Sequence, residues 1–400
     1  MTNTSVAEAE AAWKPVLDRV RSLIDPLKAQ AGTAEKDRRI GPNIMRSLHR
    51  EGLLRHFQPR RHGGDDLPWG IQFDIGRLLA QACPSTAWVA TVVAANNCYA
   101  CRFPQAAQDE VYGSGHDVLV ANASVQRGVR IAAEKGGLRV SGRWKFASGI
   151  DHAQWVIVSG TPEDAGNSGT DGPLFFLLPD RDYTIEDTWF VSGMRGTGSK
   201  DIVVEGAWVP AHRTLPMATF WGPTPPGART GDPFIWRLPL AGYFGTSLLG
   251  PLVGMAEGGL NAYIEATGTR VGVMTGESVA QHPAVQLRLA ESLAEVDAAR
   301  RVLRAQIHEL RESGERGTGP SSDRIRAMTR DRAFLTRMCQ NALERVASTM
   351  GAMGIFDGNP VQRYVRDLNA AATQIAVNYD RGMMPFGQWA LGLSPPTSPI

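Results

Sequence analysis

The stretch Val140-Ser-Gly-Arg-Trp-Lys-Phe-Ala-Ser-Gly-Ile-Asp-His-Ala-Gln-Trp155 decides how the chain is organised. From Leu138 to Phe146, apolar and polar residues alternate, which predicts a half-buried antiparallel strand with Trp144 and Phe146 on the same face. The small residues 147–149 end this alternation, and a second, more apolar strand follows the break. Small residues at such a break let a large, flat group approach the backbone closely. A simpler interpretation, a β-turn beside a core tryptophan, stays open.

The composition is typical of an ordinary globular chain. Its 400 residues are 43% hydrophobic and 20% charged, with a formal net charge of +2. That balance argues against nucleic acid as the main partner, because nucleic-acid binding needs a strongly basic face. Neither an apolar signal segment nor a run of about 18 apolar residues is visible, so we expect no export and no membrane span. The length predicts two to three domains.

The four cysteines do not indicate a metal site. Cys98-Tyr-Ala-Cys101 has the C-x-x-C spacing, but it lacks the second pair or the histidines that a zinc site needs. The motif lies in an apolar, helix-like segment, where cysteine behaves as a small buried hydrophobe. Few cysteines and no export signal predict a reducing cytoplasm.

The hydrophobic period changes twice along the chain. Helical spacing predominates up to about residue 116, with prolines at 15 and 26 that predict a kink or an interruption in the first helix. Short strand-like segments between 118 and 209 predict a small β-barrel or sandwich. Residues 193–198 are glycine-rich, but their G-x-x-G-x-G spacing opens no helix after a strand, so a Rossmann site is not indicated.

Helical spacing returns after a proline- and glycine-rich connection at 211–233. Apolar stripes from Val285 to Leu310 and from Met328 to Met350 predict bundle helices on either side of a polar break at 312–322. Asn359 before Pro360 predicts an N-cap for the last helix.

Three motifs carry a resemblance to a known family. Residues 144–155 read W-x-F-x-S-G-x-x-H-A-x-W, residues 193–197 read G-x-R-G-T, and residues 363–367 read R-x-x-R-D. Together with the order of helices, strands and helices, they resemble the acyl-CoA dehydrogenase superfamily over nearly the whole chain. The closest likeness is to its flavin-dependent monooxygenase branch, which includes oxygenase components of two-component 4-hydroxyphenylacetate hydroxylases, dibenzothiophene monooxygenase and indole monooxygenases.

The resemblance implies an α+β, acyl-CoA dehydrogenase-like fold in three domains. These would be an N-terminal helical domain at 1–116, a central β-barrel at 117–228 and a C-terminal four-helix bundle at 229–400. In this superfamily the bundle serves oligomerisation, so we expect a homotetramer built as a dimer of dimers.

The resemblance also implies where a flavin would bind. Phe146, Ala147 and Ser148 would lie against the isoalloxazine ring, with the Ser148 hydroxyl near flavin N5, and Arg270 would reach the flavin phosphate. An arginine suits phosphate because its planar fork binds two oxygens and stays charged. The further cofactor residues that the resemblance implies are Asn122, Ser124, Trp144, Gly351, Met353 and Gly354. Each glycine alone is also compatible with a helix cap. Arg366 and Asp367 are expected to form a structural ion pair.

The sequence fails the test for an acyl-CoA dehydrogenase, which needs a carboxylate base to remove the proton α to the thioester. The family supplies a glutamate from the helix after R-D or from the first long helix of the bundle. Here no acid follows Asp367 until Asp380, and none occurs from Phe234 to Ala256.

The monooxygenase interpretation survives this test. In it, reduced flavin and O2 form a C4a-hydroperoxyflavin, and the protein excludes water with an apolar pocket that includes Trp88. Phenol hydroxylases of the branch place two histidines at the pocket, where this chain has Asn96 and Gln374. Neither amide titrates near neutral pH. The catalytic candidates are therefore Ser148, Asn96, Gln374 and Trp88, although both amides could merely satisfy buried backbone.

The sequence thus predicts a two-component flavin-dependent monooxygenase acting on a small aromatic or heteroaromatic substrate, such as an indole. Since no nicotinamide-binding motif is present, a separate reductase should supply reduced FMN or FAD. An N- or S-oxygenase, or a flavin dehydrogenase on the same fold, is the alternative enzyme. A non-catalytic flavin-binding protein is the alternative outside enzymes.

Overall fold

The computed structural model describes residues 3–65, 67, 69–163, 172–272 and 274–393. Six helices come first: α1 (Asn3–Ser22), α2 (Ile24–Asp37), α3 (Pro42–Arg50), α4 (Ile71–Ala80), α5 (Pro84–Ala100) and α6 (Gln105–Tyr112). The interruption expected in the first helix lies at Leu23, between α1 and α2. Helix α5 is apolar on every face and almost wholly buried. It is therefore a core element that other parts of the chain pack around.

Eight strands follow: β1 (Val120–Ala123), β2 (Val125–Glu134), β3 (Gly137–Ala147), β4 (Trp155–Gly160), β5 (Leu174–Pro179), β6 (Thr184–Glu186), β7 (Lys200–Pro210) and β8 (Thr214–Pro216). They form two four-stranded sheets in the orders β1-β4-β5-β8 and β2-β3-β7-β6. Strand β1 runs parallel to β4, and the other pairs are antiparallel.

The expected β-barrel is wrong, because the two sheets remain separate. Closure would need hydrogen bonds between the edge strands of the two sheets. Within the described ranges no strand pairs across them. Two of the edge strands, β6 and β8, are only three residues long and offer little backbone for such pairing.

The connection to the C-terminal region contains two short helices, α7 (Met217–Trp221) and α8 (Phe234–Arg237). The region itself consists of α9 (Leu249–Gly268), α10 (Pro283–Glu315), α11 (Ser322–Ala347), α12 (Pro360–Ala371) and α13 (Tyr379–Ala390). Asn359 caps α12 by accepting the Val361 N–H, which confirms the predicted cap. Helix α12 is not the last helix, however, because α13 follows it. Helix α9 packs against α4 from the N-terminal region. None of the helices described here is long and apolar enough to cross a bilayer.

Candidate functional site

The end of β3 does not continue the alternation that the sequence predicted. The pairing of β3 with β7 shifts register between Trp144 and Ala147, and Phe146 adopts a φ of +68°. This irregularity turns the Phe146 side chain outward, where 53% of it is exposed. The expectation that Trp144 and Phe146 share a face is therefore wrong. A bulky residue with positive φ is strained, and such strain often marks a ligand site.

Trp144 is fully buried inside the β-domain rather than presented to a ligand. Its Nε1–H donates to the Ser159 carbonyl at 2.8 Å, and its ring meets Phe176 edge-on with centroids 6.0 Å apart. Trp144 therefore has no exposed surface with which to make the cofactor contact that the resemblance implies. Through these contacts Trp144 packs β3 against β4 and β5.

The small residues after Phe146 fit closely against their surroundings. Ala147 is fully buried, and Ser148 is nearly so. The Ser148 hydroxyl lies 2.7 Å from the Ser199 hydroxyl. Gly149 has a φ of +73°, and a Cβ added there would lie 2.9 Å from Cγ1 of Val89 in α5. Glycine is therefore required where this turn meets α5.

Helix α5 also meets the first strand. Asn96, buried in α5, donates from Nδ2 to the Val120 carbonyl at 2.8 Å. Beyond the end of that strand, the Ser124 hydroxyl donates to Oδ1 of Asn122 at 2.9 Å. Trp88 lies on the same helix and is 7% exposed. Asn96 thus satisfies buried backbone, which was one of the two roles expected of it.

Gln374 lies in the turn between α12 and α13 and is half buried. Its Oε1 accepts the Ala376 N–H at 2.6 Å, so its carbonyl holds its own turn. Ala376 packs against Gly245, where an added Cβ would be only 2.5 Å from the Ala376 Cβ. The Gln374 turn therefore borders the segment that leads into α9.

An apolar cleft opens beside this segment. It is narrow, with a cavity volume of about 30 Å³. It is lined by Phe57, Trp69, Gln72, Ala95, Cys98, Tyr99, Ile235, Leu240, Tyr243, Phe244 and Ser247. No lining residue carries a formal charge. Helix α5 contributes Ala95, Cys98 and Tyr99, spaced as i, i+3 and i+4 on one helix face. This cleft was not predicted, although the spacing of Ala95, Cys98 and Tyr99 on one helix face was a usable signal.

Tyr99 supplies a polar group in this apolar setting. Its ring packs against Phe220 and Phe244, and its hydroxyl forms no hydrogen bond with another described residue. Burial raises the pKa of Tyr99 well above its ordinary value, so the phenol stays protonated. It is therefore available as a neutral hydrogen-bond donor or acceptor for a molecule in the cleft.

Arg270 and the turn at 351–355 form a second group. Arg270 donates from Nη1 to the Thr349 carbonyl at 3.0 Å, and a Cβ at Gly351, whose φ is +60°, would lie 3.8 Å from its Nη2. Met353 is 60% exposed, and Gly354 belongs to the same turn. Arg270 has no carboxylate partner in the described part of the chain. Its guanidinium can therefore bind an anion, but its contacts share no residue with those of Ser148.

The Arg366 and Asp367 side chains of the R-x-x-R-D motif contact other residues rather than each other. Arg366 pairs with Glu35 at 2.6 Å and donates to the Ser192 carbonyl. Asp367 instead accepts the Met194 N–H at 2.5 Å. The predicted ion pair between Arg366 and Asp367 is therefore wrong. Both residues brace the turn that precedes Thr197 and Ser199.

Glu257 and His152, which lie near these groups, are already engaged. Glu257 on α9 accepts hydrogen bonds from Arg77 at 2.7 Å and Gln81 at 2.6 Å. His152 lies 3.0 Å from the Ile40 carbonyl, and burial lowers its pKa. In the described ranges no three His, Cys, Asp or Glu side chains are grouped as metal ligands.

Comparison with known proteins identifies relatives over the full length. The family model "Acyl-CoA dehydrogenase, C-terminal domain" matches residues 247–379. The chain is 34% identical to the oxygenase component of an FADH2-dependent resorcinol hydroxylase from Rhizobium sp. (strain MTP-10005), over 99% of each chain. It is 32% identical to the flavin-dependent monooxygenase oxygenase subunit HsaA of Rhodococcus jostii (strain RHA1), over 94% of this chain and 98% of that protein.

A solved structure shows that the similarity extends to the fold. The crystal structure of 3-HSA hydroxylase from Rhodococcus sp. RHA1 superposes with a TM-score of 0.88 at 30% identity, covering 95% of this chain and 97% of that one. The similarity spans the β-sheets as well as the C-terminal helices. The chain therefore belongs to the family of flavin-dependent monooxygenase oxygenase components, which have an acyl-CoA dehydrogenase-like fold.

Proposed function

We propose that the protein is the oxygenase component of a two-component system. It would take reduced FMN or FAD from a separate reductase and use O2 to place one oxygen atom on a small, uncharged aromatic or heteroaromatic molecule. The observation that carries the proposal is the position of α5. Val89 on this helix contacts the turn that presents Phe146 and Ser148, and Ala95 and Tyr99 on the same helix line the apolar cleft.

The residues around the β3 turn fit a flavin ring. Phe146 offers an exposed apolar face, Ser148 offers a hydroxyl, and Asn122 and Ser124 offer polar groups from the neighbouring strand end. Gly149 lets α5 come close behind the turn. A bound reduced flavin would supply the activation of O2 and the oxygen transfer. The chain's own residues would orient the ring and keep water away from it.

Arg270 fits the phosphate end of the cofactor. A guanidinium without a carboxylate partner can bind phosphate through two parallel hydrogen bonds. Gly351, Met353 and Gly354 lie in the adjoining turn and would approach the cofactor there. Since the contacts of Arg270 and Ser148 are separate, we propose that Arg270 completes the site of a second copy in a homotetramer.

The uncharged lining of the cleft favours an uncharged substrate, and the cleft, at about 30 Å³, would have to widen to admit an aromatic ring. A carboxylate buried there would lack a cationic partner, which is costly in an apolar site. Asn96 and Gln374 cannot act as bases, and Tyr99 keeps its proton. An electron-rich ring that needs no strong base, such as an indole or a resorcinol-like arene, therefore suits the site better than an aryl acetate. Trp88 would help to keep the adjoining helix face dry.

Labelling with ¹⁸O2 tests the proposal. The purified protein, a flavin reductase and NADH are supplied with ¹⁸O2 and matched pairs of neutral and carboxylated aromatic compounds. We expect one ¹⁸O atom in products from the neutral compounds and mainly hydrogen peroxide with the carboxylated ones. Peroxide release with every compound at the rate of free flavin would contradict the oxygenase proposal. Oxidation without ¹⁸O incorporation would favour a dehydrogenase.

We also propose that the functional units follow the boundaries expected from the sequence. Residues 1–116 and 229–400 would supply the walls of the substrate cleft, and residues 117–228 would supply the flavin-facing turn. The cleft residues support this division, because they come from both sides of the β-region and none from within it.

A further inference from the structure

Three hydroxyl groups form a buried chain behind the β3 turn. Ser148 Oγ lies 2.7 Å from Ser199 Oγ, which in turn lies 2.7 Å from Thr197 Oγ1. Thr197 Oγ1 lies 2.9 Å from the Met194 carbonyl oxygen. Thr197 and Ser199 are almost wholly buried, and Ser148 is 8% exposed. Ser148, at one end of this row of hydroxyls, is the most exposed of the three.

The carbonyl at the other end fixes the direction of this chain. A carbonyl oxygen can only accept, so the Thr197 hydroxyl must donate to Met194; otherwise two oxygens would lie 2.9 Å apart with no hydrogen between them. Each hydroxyl has a single proton. Thr197 must then accept from Ser199, and Ser199 must accept from Ser148. The Ser148 proton thus points inward, and only lone pairs face outward.

The anchor of the chain is held firmly. The Met194 carbonyl also accepts the Thr197 N–H at 3.2 Å and the Trp189 Nε1–H at 3.0 Å. The Met194 N–H is bound by Asp367. The backbone on both sides of Met194 is therefore fixed. Among its described contacts, the Thr197 hydroxyl has two hydrogen-bond neighbours, the Met194 carbonyl and Ser199.

We infer that Thr197 and Ser199 are positioning residues that make Ser148 an obligate hydrogen-bond acceptor, so that the site favours reduced over oxidised flavin. The inference rests on the proposed function, in which Ser148 faces the flavin ring near N5. Reduced flavin has an N–H at N5 that can donate to Ser148. Oxidised flavin has only a lone pair there, which would face the Ser148 lone pairs without a hydrogen between them. The three linked hydroxyl groups thereby make the affinity for flavin depend on its redox state.

The test compares the affinity of the intact protein for the two redox states of FMN and FAD. Oxidised flavin is titrated in air and dithionite-reduced flavin anaerobically, by ultrafiltration or calorimetry. Ser199→Ala frees the Ser148 proton to turn outward, and Thr197→Val frees Ser199 to donate to Ser148. In both variants we expect the ratio of the oxidised to the reduced Kd to fall about tenfold, largely because oxidised flavin binds more tightly.

Two controls separate this effect from general damage. Thr197→Ser keeps a hydroxyl and should retain the parent ratio. Thr336→Val removes another buried hydroxyl, which donates to the Arg332 carbonyl within α11, and should also retain it. An unchanged ratio in folded Ser199→Ala and Thr197→Val proteins would overturn the inference while leaving the flavin site intact. Failure of the parent protein to bind either redox state would overturn the proposed function, and the inference with it.

Discussion

Phe146 is the residue whose conformation is hardest to explain by folding alone. Its φ of +68° lies in the left-handed region, and its ring is half exposed, with only an edge contact to Trp189 at 6.1 Å. A bulky side chain in such a region costs on the order of 1–3 kcal/mol. A ligand against the phenyl face would give the conformation a purpose.

Phe146→Gly should therefore separate stability from binding. Glycine adopts positive φ freely, so we expect the free energy of unfolding to stay the same or rise by about 1 kcal/mol. Reduced flavin should bind about tenfold more weakly because the apolar face is lost. Val125→Gly is the matched control, since Val125 is also half exposed and no positive φ is found there. It should lower stability and leave flavin affinity nearly unchanged. Urea unfolding and anaerobic flavin titration measure the two quantities, and a strongly destabilised Phe146→Gly protein would contradict the argument.

Asp367 has a predictable effect on stability as a function of pH. Burial, with Glu35 nearby, raises its pKa to about 6 from 3.8, against the opposing influence of the Met194 N–H, Arg366 and Arg363. Between these two pKa values the unfolded chain has lost a proton that the folded chain keeps. The free energy of unfolding should therefore fall as pH rises from about 4 to 6, by up to about 3 kcal/mol.

Asp367→Asn tests this directly. The amide retains a carbonyl oxygen for the Met194 N–H but carries no charge to bury. We expect the variant to be at least as stable as the parent at pH 8 and to lose the dependence between pH 4 and 6. Asp367→Ala, which leaves that N–H unsatisfied, should be less stable at both ends of the range by about 1–3 kcal/mol. If Asp367→Asn is much less stable than the parent at pH 8, the arginines stabilise the carboxylate more than burial penalises it.

At the scale of elements, the sequence predicted well wherever one face of an element is buried. The bundle helices α10 and α11 lie close to the stripes predicted at 285–310 and 328–350, because their apolar residues recur at the period of a helix. Strand β2 was missed. It is polar and mostly exposed, and it is held by its pairing with β3 rather than by a pattern of its own. Pairing between distant segments, which also decides whether sheets close, leaves no local signal.

One buried side chain binds the connection between β8 and α9 at four points. Arg102, fully buried after α5, donates to the carbonyls of Phe220, Gly222, Trp236 and Leu238. Burial lowers its pKa to about 10. This fork therefore fixes the segment that carries Ile235 and Leu240 into the cleft.

Replacing the Arg102 guanidinium should make one wall of the cleft less stable. Arg102→Met leaves four buried carbonyls without their donor, and Arg102→Lys cannot reach all four with one ammonium group. We expect each variant to lose about 3 kcal/mol or more of unfolding free energy, and hydrogen exchange to rise first in residues 220–240. Arg301→Met, at a side chain that is 79% exposed, should cost less than about 1 kcal/mol. Uniform exchange across the chain in Arg102→Met would contradict a local clamp.

Three exposed apolar side chains follow one another closely at the turn that contains Gly351. Met353, Ile355 and Phe356 are 60%, 79% and 58% exposed within four residues. The turn is nevertheless ordered, because Asn359 donates to the Met353 carbonyl at 2.9 Å. A fixed apolar turn in water favours association with another protein surface. Its proximity to Arg270 links assembly to the proposed phosphate site.

Ile355→Lys should therefore affect assembly and binding together. A charge in the centre of this turn would have to be buried in the contact, so we expect the molar mass from light scattering to fall below that of a tetramer. Reduced-flavin affinity should fall in the same variant, because Gly351 and Arg270 share the turn. Trp208→Lys, at a 43% exposed side chain on β7, is the control and should change neither quantity. Helical content by circular dichroism should be unchanged in both proteins. If Ile355→Lys and Phe356→Lys both keep the parent mass, the turn lies outside any subunit contact, and Arg270 must act within its own chain.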